Sequence, residues 1–195
     1  MGRFDDAAAW HATALSRARE MAFPGPAAQA LSGMGVAAGL QGDFDLAETL
    51  HREALAGYEA VGSVEGAAFT YACLGFLATN QGDAAEAIEL HRRSLVKAVS
   101  GSERRAMALA VVGLAGAHAL GADGPTAALL LGVAAEVRGF GVAVAPWVLS
   151  EIARVEALAK SLLGDASYDA AYASGRLQAE TVLARLVSDD QPTLA

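Results

Sequence analysis

The chain has 195 residues, of which 54% are hydrophobic and only 18% charged; that length suits one continuous core, and that balance excludes a disordered chain. The formal charge is −8, from 22 acidic and 14 basic residues, and the only basic clusters are Arg92-Arg93 and Arg104-Arg105, which argues against a nucleic-acid binder because phosphate contacts demand a basic face. A single cysteine, Cys73, leaves no intramolecular disulfide and no Cys-rich metal spacing, so a reducing cytoplasm is the expected setting.

The N-terminal Met1-Gly2-Arg3-Phe4-Asp5-Asp6 lacks the basic-then-apolar layout of a signal peptide. Apolar periodicity predicts a first helix over 4–21, and Phe23-Pro24-Gly25-Pro26 breaks the chain before a second over 27–40. Helices follow over 44–61, 65–80 and 84–99. Asp43 and Asp83 stand where N-caps belong, and Glu86 follows Asp83 by three as in a capping box. Ser102 is placed to cap a helix over 103–120. Residues 106–122 carry no charge, but they are fewer than the roughly 20 apolar residues a membrane span needs. They also include His118, so a buried helix is expected there, not a membrane segment. Gly124-Pro125 puts a proline in the first turn of a helix over 126–138. Helices over 146–163 and 166–186 complete the set of nine, the last broken at Gly175. No run alternates with period two, so an all-α fold without sheet is predicted.

Internal self-similarity organises these elements. Gln41-Gly42-Asp43 returns 40 residues later as Gln81-Gly82-Asp83, and Leu50-His51-Arg52 as Leu90-His91-Arg92. Stepping back 40 pairs Phe44 with Phe4, Ala47 with Ala7, His51 with His11 and Leu55 with Leu15. Stepping forward pairs Ala87 with Ala127 and Leu90 with Leu130. Within one frame Ala47, Leu50, His51, Ala54, Leu55 and Tyr58 share a helix face, and Ala87, Leu90, His91, Ser94, Leu95 and Ala98 repeat that spacing. The frames divide the chain into a half repeat (2–23), repeats over 26–62, 64–100 and 103–139, C-terminal capping helices (145–187) and a polar tail (188–195).

The Gln-Gly-Asp turn with an alanine five residues after its glycine resembles a tetratricopeptide repeat. Gly35 and Gly75 match the small residue midway along that family's first helix, and Ala47 and Ala87 the small residue early in its second. His51 and His91 stand where the family usually has a bulky aromatic. The 40-residue step exceeds the common 34 and is similar to the long-repeat variety. Residues 122–187 resemble the C-terminal helical end of actinobacterial LuxR-type and AfsR/SARP-like regulators with a STAND-type ATPase, on Ala127 to Arg138, Pro146 and the Gly164 to Leu177 stretch.

The resemblance implies a right-handed α-α superhelix whose first helices line a concave groove. Gln29, Ser32, Val36, Phe69, Ala72, Phe76, Thr79, Asn80 and Val112, with Gly116 beyond, would then face that groove. These are small or apolar residues with two amides, and no groove lysine is set to clamp a peptide carboxylate. An apolar helix or a neighbouring regulator domain fits such a surface, and further packing within the chain is the plain alternative. The implied role is protein–protein interaction or regulatory signalling, as the sensor region of a bacterial transcriptional regulator. The second reading is a small-molecule effector sensor that uses the concave surface. With no G-x-x-x-x-G-K-[ST] loop and no room for a helix-turn-helix after Arg185, neither ATP hydrolysis nor duplex-DNA binding is expected of this chain.

No catalytic set converges, so no enzyme activity, cofactor or metal is expected. Gly33-Met34-Gly35-Val36-Ala37-Ala38-Gly39 lies within a helical pattern and lacks the strand a dinucleotide turn needs. His11, His51 and His91 share no face with cysteine or carboxylate and are expected as half-buried packing residues. Cys73 is read as packing, His118 as bonded to a backbone carbonyl, and Asp165, Asp169 and Glu180 as cap or surface residues. The first helix matches a second helix of the repeat whose paired first helix is missing, so some of Phe4, Ala8, Trp10 and Leu15 are expected to lack cover, either because the chain is a fragment of a larger protein or because it self-associates there; a fragment that also forms a homodimer is the favoured reading.

Overall fold

A computed structural model describes residues 2–139 and 145–188; most of the polar tail, 189–195, lies outside the described residues. Among the described residues ten helices run in order: α1 (Gly2–Glu20), α2 (Pro24–Gln41), α3 (Phe44–Ala60), α4 (Val64–Gln81), α5 (Ala84–Ser100), α6 (Arg104–Leu120), α7 (Gly124–Arg138), α8 (Pro146–Leu163), α9 (Asp165–Leu177) and α10 (Ala179–Val187). There is no strand among the described residues. Consecutive helices pack on one another as in a tetratricopeptide-like superhelix.

The repeat has a finer beat than 40 residues. Left-handed backbone recurs every twenty residues, at Ala22, Gly42, Gly62, Gly82, Ser102 and Ala122, with φ between 55° and 85°. Each of these residues closes a helix in the same way. Gly42 N–H donates to the Gly39 carbonyl at 3.1 Å and Asp43 N–H to the Ala38 carbonyl at 3.0 Å; Gly82 and Asp83 repeat both bonds on Thr79 and Ala78. This is the Schellman closure, which satisfies the last carbonyls of one helix. The next residue then caps the following helix. Asp43, Ser63, Asp83 and Asp123 accept from the amides of Leu46, Gly66, Glu86 and Thr126 at 3.2, 3.3, 2.9 and 3.1 Å.

Several local expectations change in this light. Ser102 is the left-handed residue and Glu103 is the N-cap, without a side-chain bond. The capping box on Asp83 does not close: Asp83 N–H is already donated to Ala78, and the Glu86 carboxylate lies 3.6 Å from Arg52. The expected break at Phe23-Pro24-Gly25-Pro26 does separate α1 from α2, with the prolines inside the first turn of α2, where N–H groups have no helical partner, instead of before it. The final predicted helix is two helices that meet at Gln178, not at Gly175.

The small positions of the repeat form the core. Ala47, Ala87 and Ala127 are wholly buried, as are Ala54 and Ser94; the Ser94 hydroxyl donates to the Ala68 carbonyl at 2.8 Å. Of the three histidines expected to be half-buried, His11 is so, while His51 and His91 lie deeper, at 2% and 0% exposed. Glycines make room for them. A Cβ on Gly35 would stand 2.8 Å from His51 Nε2, one on Gly75 2.6 Å from His91 Nε2, and Gly113 and Gly33 lie against His91 and His11. Each second-helix imidazole therefore sits in a notch left by missing side chains.

The C-terminal helices depart from the stack. α9 makes the extensive contact with α7, while α8 lies across α6 and α7, and α10 reaches α5 and α7. At the α7–α9 crossing the backbones nearly touch: Gly132 lies against the Tyr172 carbonyl and Gly175 against the Leu129 carbonyl. Gly175 is thus a close-approach glycine, not a helix breaker.

Candidate functional site

The first helices α2, α4 and α6 carry the candidate groove residues, and two cavities open along them. The first, of about 770 Å³, is walled by Phe4, Ala7 and His11 of α1, Gln29, Ser32, Val36 and Leu40 of α2, and Glu65 and Phe69 of α4. The second, of about 640 Å³, lies between α4, α6, α7, α8 and α9, and is again lined by Glu65 and Phe69. These two shared residues make the cavities neighbours along one trough.

Of the residues expected in the groove, the first cavity brings together Gln29, Ser32, Val36 and Phe69. The second holds Phe69 with Val112. Ala72, Thr79, Phe76 and Asn80 line neither of these two. Ala72 is fully buried, and Thr79 is buried with its hydroxyl donated to the Gly75 carbonyl at 3.0 Å. Phe76 stands edge-on to His91 at 4.7 Å and to Trp147 of α8 at 5.5 Å. Asn80 is exposed near the end of α4. Beyond Val112, a Cβ on Gly116 would meet Glu151 at 3.1 Å and Val155 at 3.3 Å. α8 therefore occupies the stretch of concave surface in front of α6, and the groove is partly filled by the chain itself.

The chemistry of the two cavities differs. In the first, the Ser32 hydroxyl is buried without a hydrogen-bond partner. The second is aromatic and charged. Phe69, Trp147, Tyr168 and Tyr172 supply ring surface around Val112, Leu131, Val148 and Ile152. Tyr168 stacks on Tyr172 at 5.9 Å with 25° between planes, and Lys160 Nζ stands 4.9 Å from the Tyr168 ring centre. Burial, then the Glu156 carboxylate, pushes the Tyr168 phenol up, so it stays a neutral hydrogen-bonding group. Glu65, Glu103, Glu156 and Asp169 line the space against only Arg105 and Arg138. No histidine, cysteine or lysine stands among these described lining residues. The sequence did not point to the three C-terminal rings; the available signal was an aromatic pair, Tyr168 and Tyr172, one helical turn apart.

The remaining titratable groups are structural. Burial drives His91 down to about 3 and His51 to about 4, so both imidazoles are neutral. The His91 nitrogens and His51 Nδ1 have no hydrogen-bond partner. Cys73 is buried and its thiol is pushed up to about 12 by burial, which leaves it unreactive. His118 Nδ1 lies 3.1 Å from the Asp123 carboxylate instead of a backbone carbonyl. At Asp123 burial acts upward, but bonds from Thr126 and the His118 ring outweigh it and hold the carboxyl below its usual range. No group of three or more His, Cys, Asp or Glu side chains that could hold a metal is found among the described residues. No described helix is long and apolar enough to cross a membrane.

Comparison with known families matches residues 27–61, the α2–α3 hairpin, to the tetratricopeptide repeat. Comparison with curated proteins gives no match. The matched hairpin and the equivalent packing of the hairpins after it make the chain a tetratricopeptide-like helical repeat. Such repeats generally mediate protein–protein interaction.

Proposed function

We propose that this chain is the repeat segment of a bacterial transcriptional regulator, in which the trough around Phe69 receives an apolar helical segment of another protein or domain. The observation that carries it is the pair of adjoining cavities that share Phe69 and Glu65. A trough with apolar walls and a few polar groups suits an amphipathic helix. The regulator setting is supported by the resemblance of residues 122–187 to the helical end of LuxR-type and AfsR/SARP-like proteins. The frame of a half repeat (2–23), three repeats to 139 and capping helices from 145 belongs to the same proposal, as does a cytoplasmic location. The test is photocrosslinking in cells from a benzoyl-phenylalanine placed at Phe69, with exposed Glu89 on α5 as the control position. A helical partner captured from 69 and not from 89, and then bound in purified form, supports the reading. Equal capture from both positions refutes it.

A second reading has its own support. The space beside Trp147, Tyr168 and Tyr172 is of the size that encloses small ligands, which favours an effector in that cavity. A thermal-shift screen with metabolites separates the two: stabilisation by one chemical class, lost in Trp147→Ala, assigns the cavity to an effector.

A further inference from the structure

The charges that line the cavity beside Trp147 are divided by helix. Its two guanidiniums, Arg105 and Arg138, come from α6 and α7, and Glu65 of α4 and Glu103, the α6 N-cap, match them in number. From α8 and α9 come the rings Trp147, Tyr168 and Tyr172 with two carboxylates, Glu156 and Asp169. No arginine, lysine or histidine of α8 or α9 stands among the described lining residues. The wall that these two helices build is therefore aromatic and acidic.

That wall already attracts an ammonium. Lys160 Nζ stands 4.9 Å from the Tyr168 ring centre and 2.7 Å from Glu156, a cation held by a ring face and a carboxylate together. The Glu156 carboxylate, with Asp165 and Asp169 further off, holds Lys160 above its usual range, so one positive charge stands among three negative ones. Asp169 lines the cavity and has no ion-pair partner among the described residues. Tyr168 lines it too and is only 5% exposed. The Tyr71 hydroxyl donates to Glu59, whereas the Tyr168 hydroxyl makes no hydrogen bond among the described residues. A polar group of so deeply placed a side chain is ordinarily paired. The volume, about 640 Å³, is in the range of small-molecule sites, and Val112, Leu131, Val148 and Ile152 offer apolar surface within it.

We propose, resting on the effector reading of this cavity, that its ligand is a protonated organic amine with an apolar body. The ammonium meets Asp169, the Tyr168 hydroxyl and the aromatic wall, and the body lies against the aliphatic side chains. A neutral ligand would leave Asp169 without a counter-charge, and an anion would meet Glu156 and Asp169 on the same wall.

Trp147 is one of two tryptophans, and the other, Trp10, is exposed. Trp10→Phe thus leaves a chain whose indole fluorescence reports from the cavity wall. Phenethylamine, phenethyl alcohol and hydrocinnamate have similar bodies and are cationic, neutral and anionic at neutral pH. The amine is expected to change the fluorescence saturably, with a Kd of about 1–10 mM for so small a probe. It should bind at least about tenfold more tightly than the alcohol, and hydrocinnamate no more tightly than the alcohol. Asp169→Asn alters an exposed side chain, so its melting curve should match the parent. It should weaken the amine at least about threefold and leave the alcohol unchanged, while Glu89→Gln on α5 should change neither. No saturable response to the amine up to about 50 mM overturns the proposal. So does an alcohol or hydrocinnamate that binds as tightly as the amine, or an Asp169→Asn variant that binds the amine like its parent. In each of these cases the effector reading itself stands if the metabolite screen yields a ligand of another class that Trp147→Ala abolishes, and falls if the screen yields none.

Discussion

Acid should unfold this protein earlier than its carboxylates would, because of His51 and His91. Both rings are buried and neutral, held to about 4 and about 3 by burial, against an unperturbed 6.5. The folded-state values lie below the unfolded one, so the contribution is fully present above pH 6.5. It is lost as pH falls from there toward 4 and then 3, because only the unfolded chain takes up the protons. At pH 5 each ring has lost about 2 kcal/mol, at 1.36 kcal/mol for each pH step below 6.5, or about 4 kcal/mol together. That is a large share of a typical domain's 5–15 kcal/mol. Urea unfolding at pH 7 and pH 5 measures the loss directly. His91→Leu keeps an apolar side chain of similar bulk between Gly75 and Gly113 and removes two nitrogens that lack partners. It should be at least as stable as the wild type at pH 7 and should lose about 2 kcal/mol less on going to pH 5. The variant with both histidines replaced by leucine should lose about 4 kcal/mol less. A wild type that loses under about 1 kcal/mol between these pH values, or a His91→Leu variant with the wild-type loss, refutes the reasoning.

The turn at Ala122 has φ 62°, so Ala122→Gly should raise stability by about 0.5–1 kcal/mol in urea unfolding, the relieved strain exceeding the added freedom of the unfolded chain. Gly132→Ala would drive a methyl into the Tyr172 carbonyl at the α7–α9 crossing and should cost about 3 kcal/mol, read as a lower melting temperature. Ala87→Leu fills a position with no exposure and should cost about 1–3 kcal/mol, seen as a lower urea midpoint.

The sequence carried the 40-residue step because the residues that set it are also those physics constrains most. Only a small residue fits at 47, 87 and 127 between adjoining helices, and only a short side chain with an acceptor oxygen, here aspartate or serine, caps well at 43, 63, 83 and 123. The twenty-residue beat was harder to see, because only three of its six left-handed residues are glycine and the others are Ala22, Ser102 and Ala122. The depth of the histidines was legible in principle, from Gly35 and Gly75 sixteen residues before them and Gly33 and Gly113 twenty-two after. Each of those glycines, taken singly, reads as an ordinary helix glycine. Gly175 looked like a breaker because nothing local distinguishes a glycine that ends a helix from one that lets two backbones meet. The course of α8 across α6 was not legible at all, since Pro146–Leu163 has the pattern of any amphipathic helix and its position is set by partners distant in sequence.

Comparison of equivalent positions separates what the repeat needs for folding from what it leaves to vary. Along the second helices the buried face hardly changes: Ala47, Ala87 and Ala127, or Leu50, Leu90 and Leu130. At the first-helix positions expected to face the groove, the same comparison gives Gln29, Phe69 and Leu109, then Ser32, Ala72 and Val112, then Val36, Phe76 and Gly116. This variation contrasts with the near-constant second-helix face. It follows what stands in front of each position. Gly116 is small where Glu151 and Val155 of α8 come close. Phe76 is large where Trp147 meets it edge-on. Phe69 is large and only partly buried where the two cavities adjoin. Two of these three residues already have an occupant from the chain itself. Phe69 presents a ring of the same size as Phe76 to open space, and that is why the trough around it is the place to look for the partner.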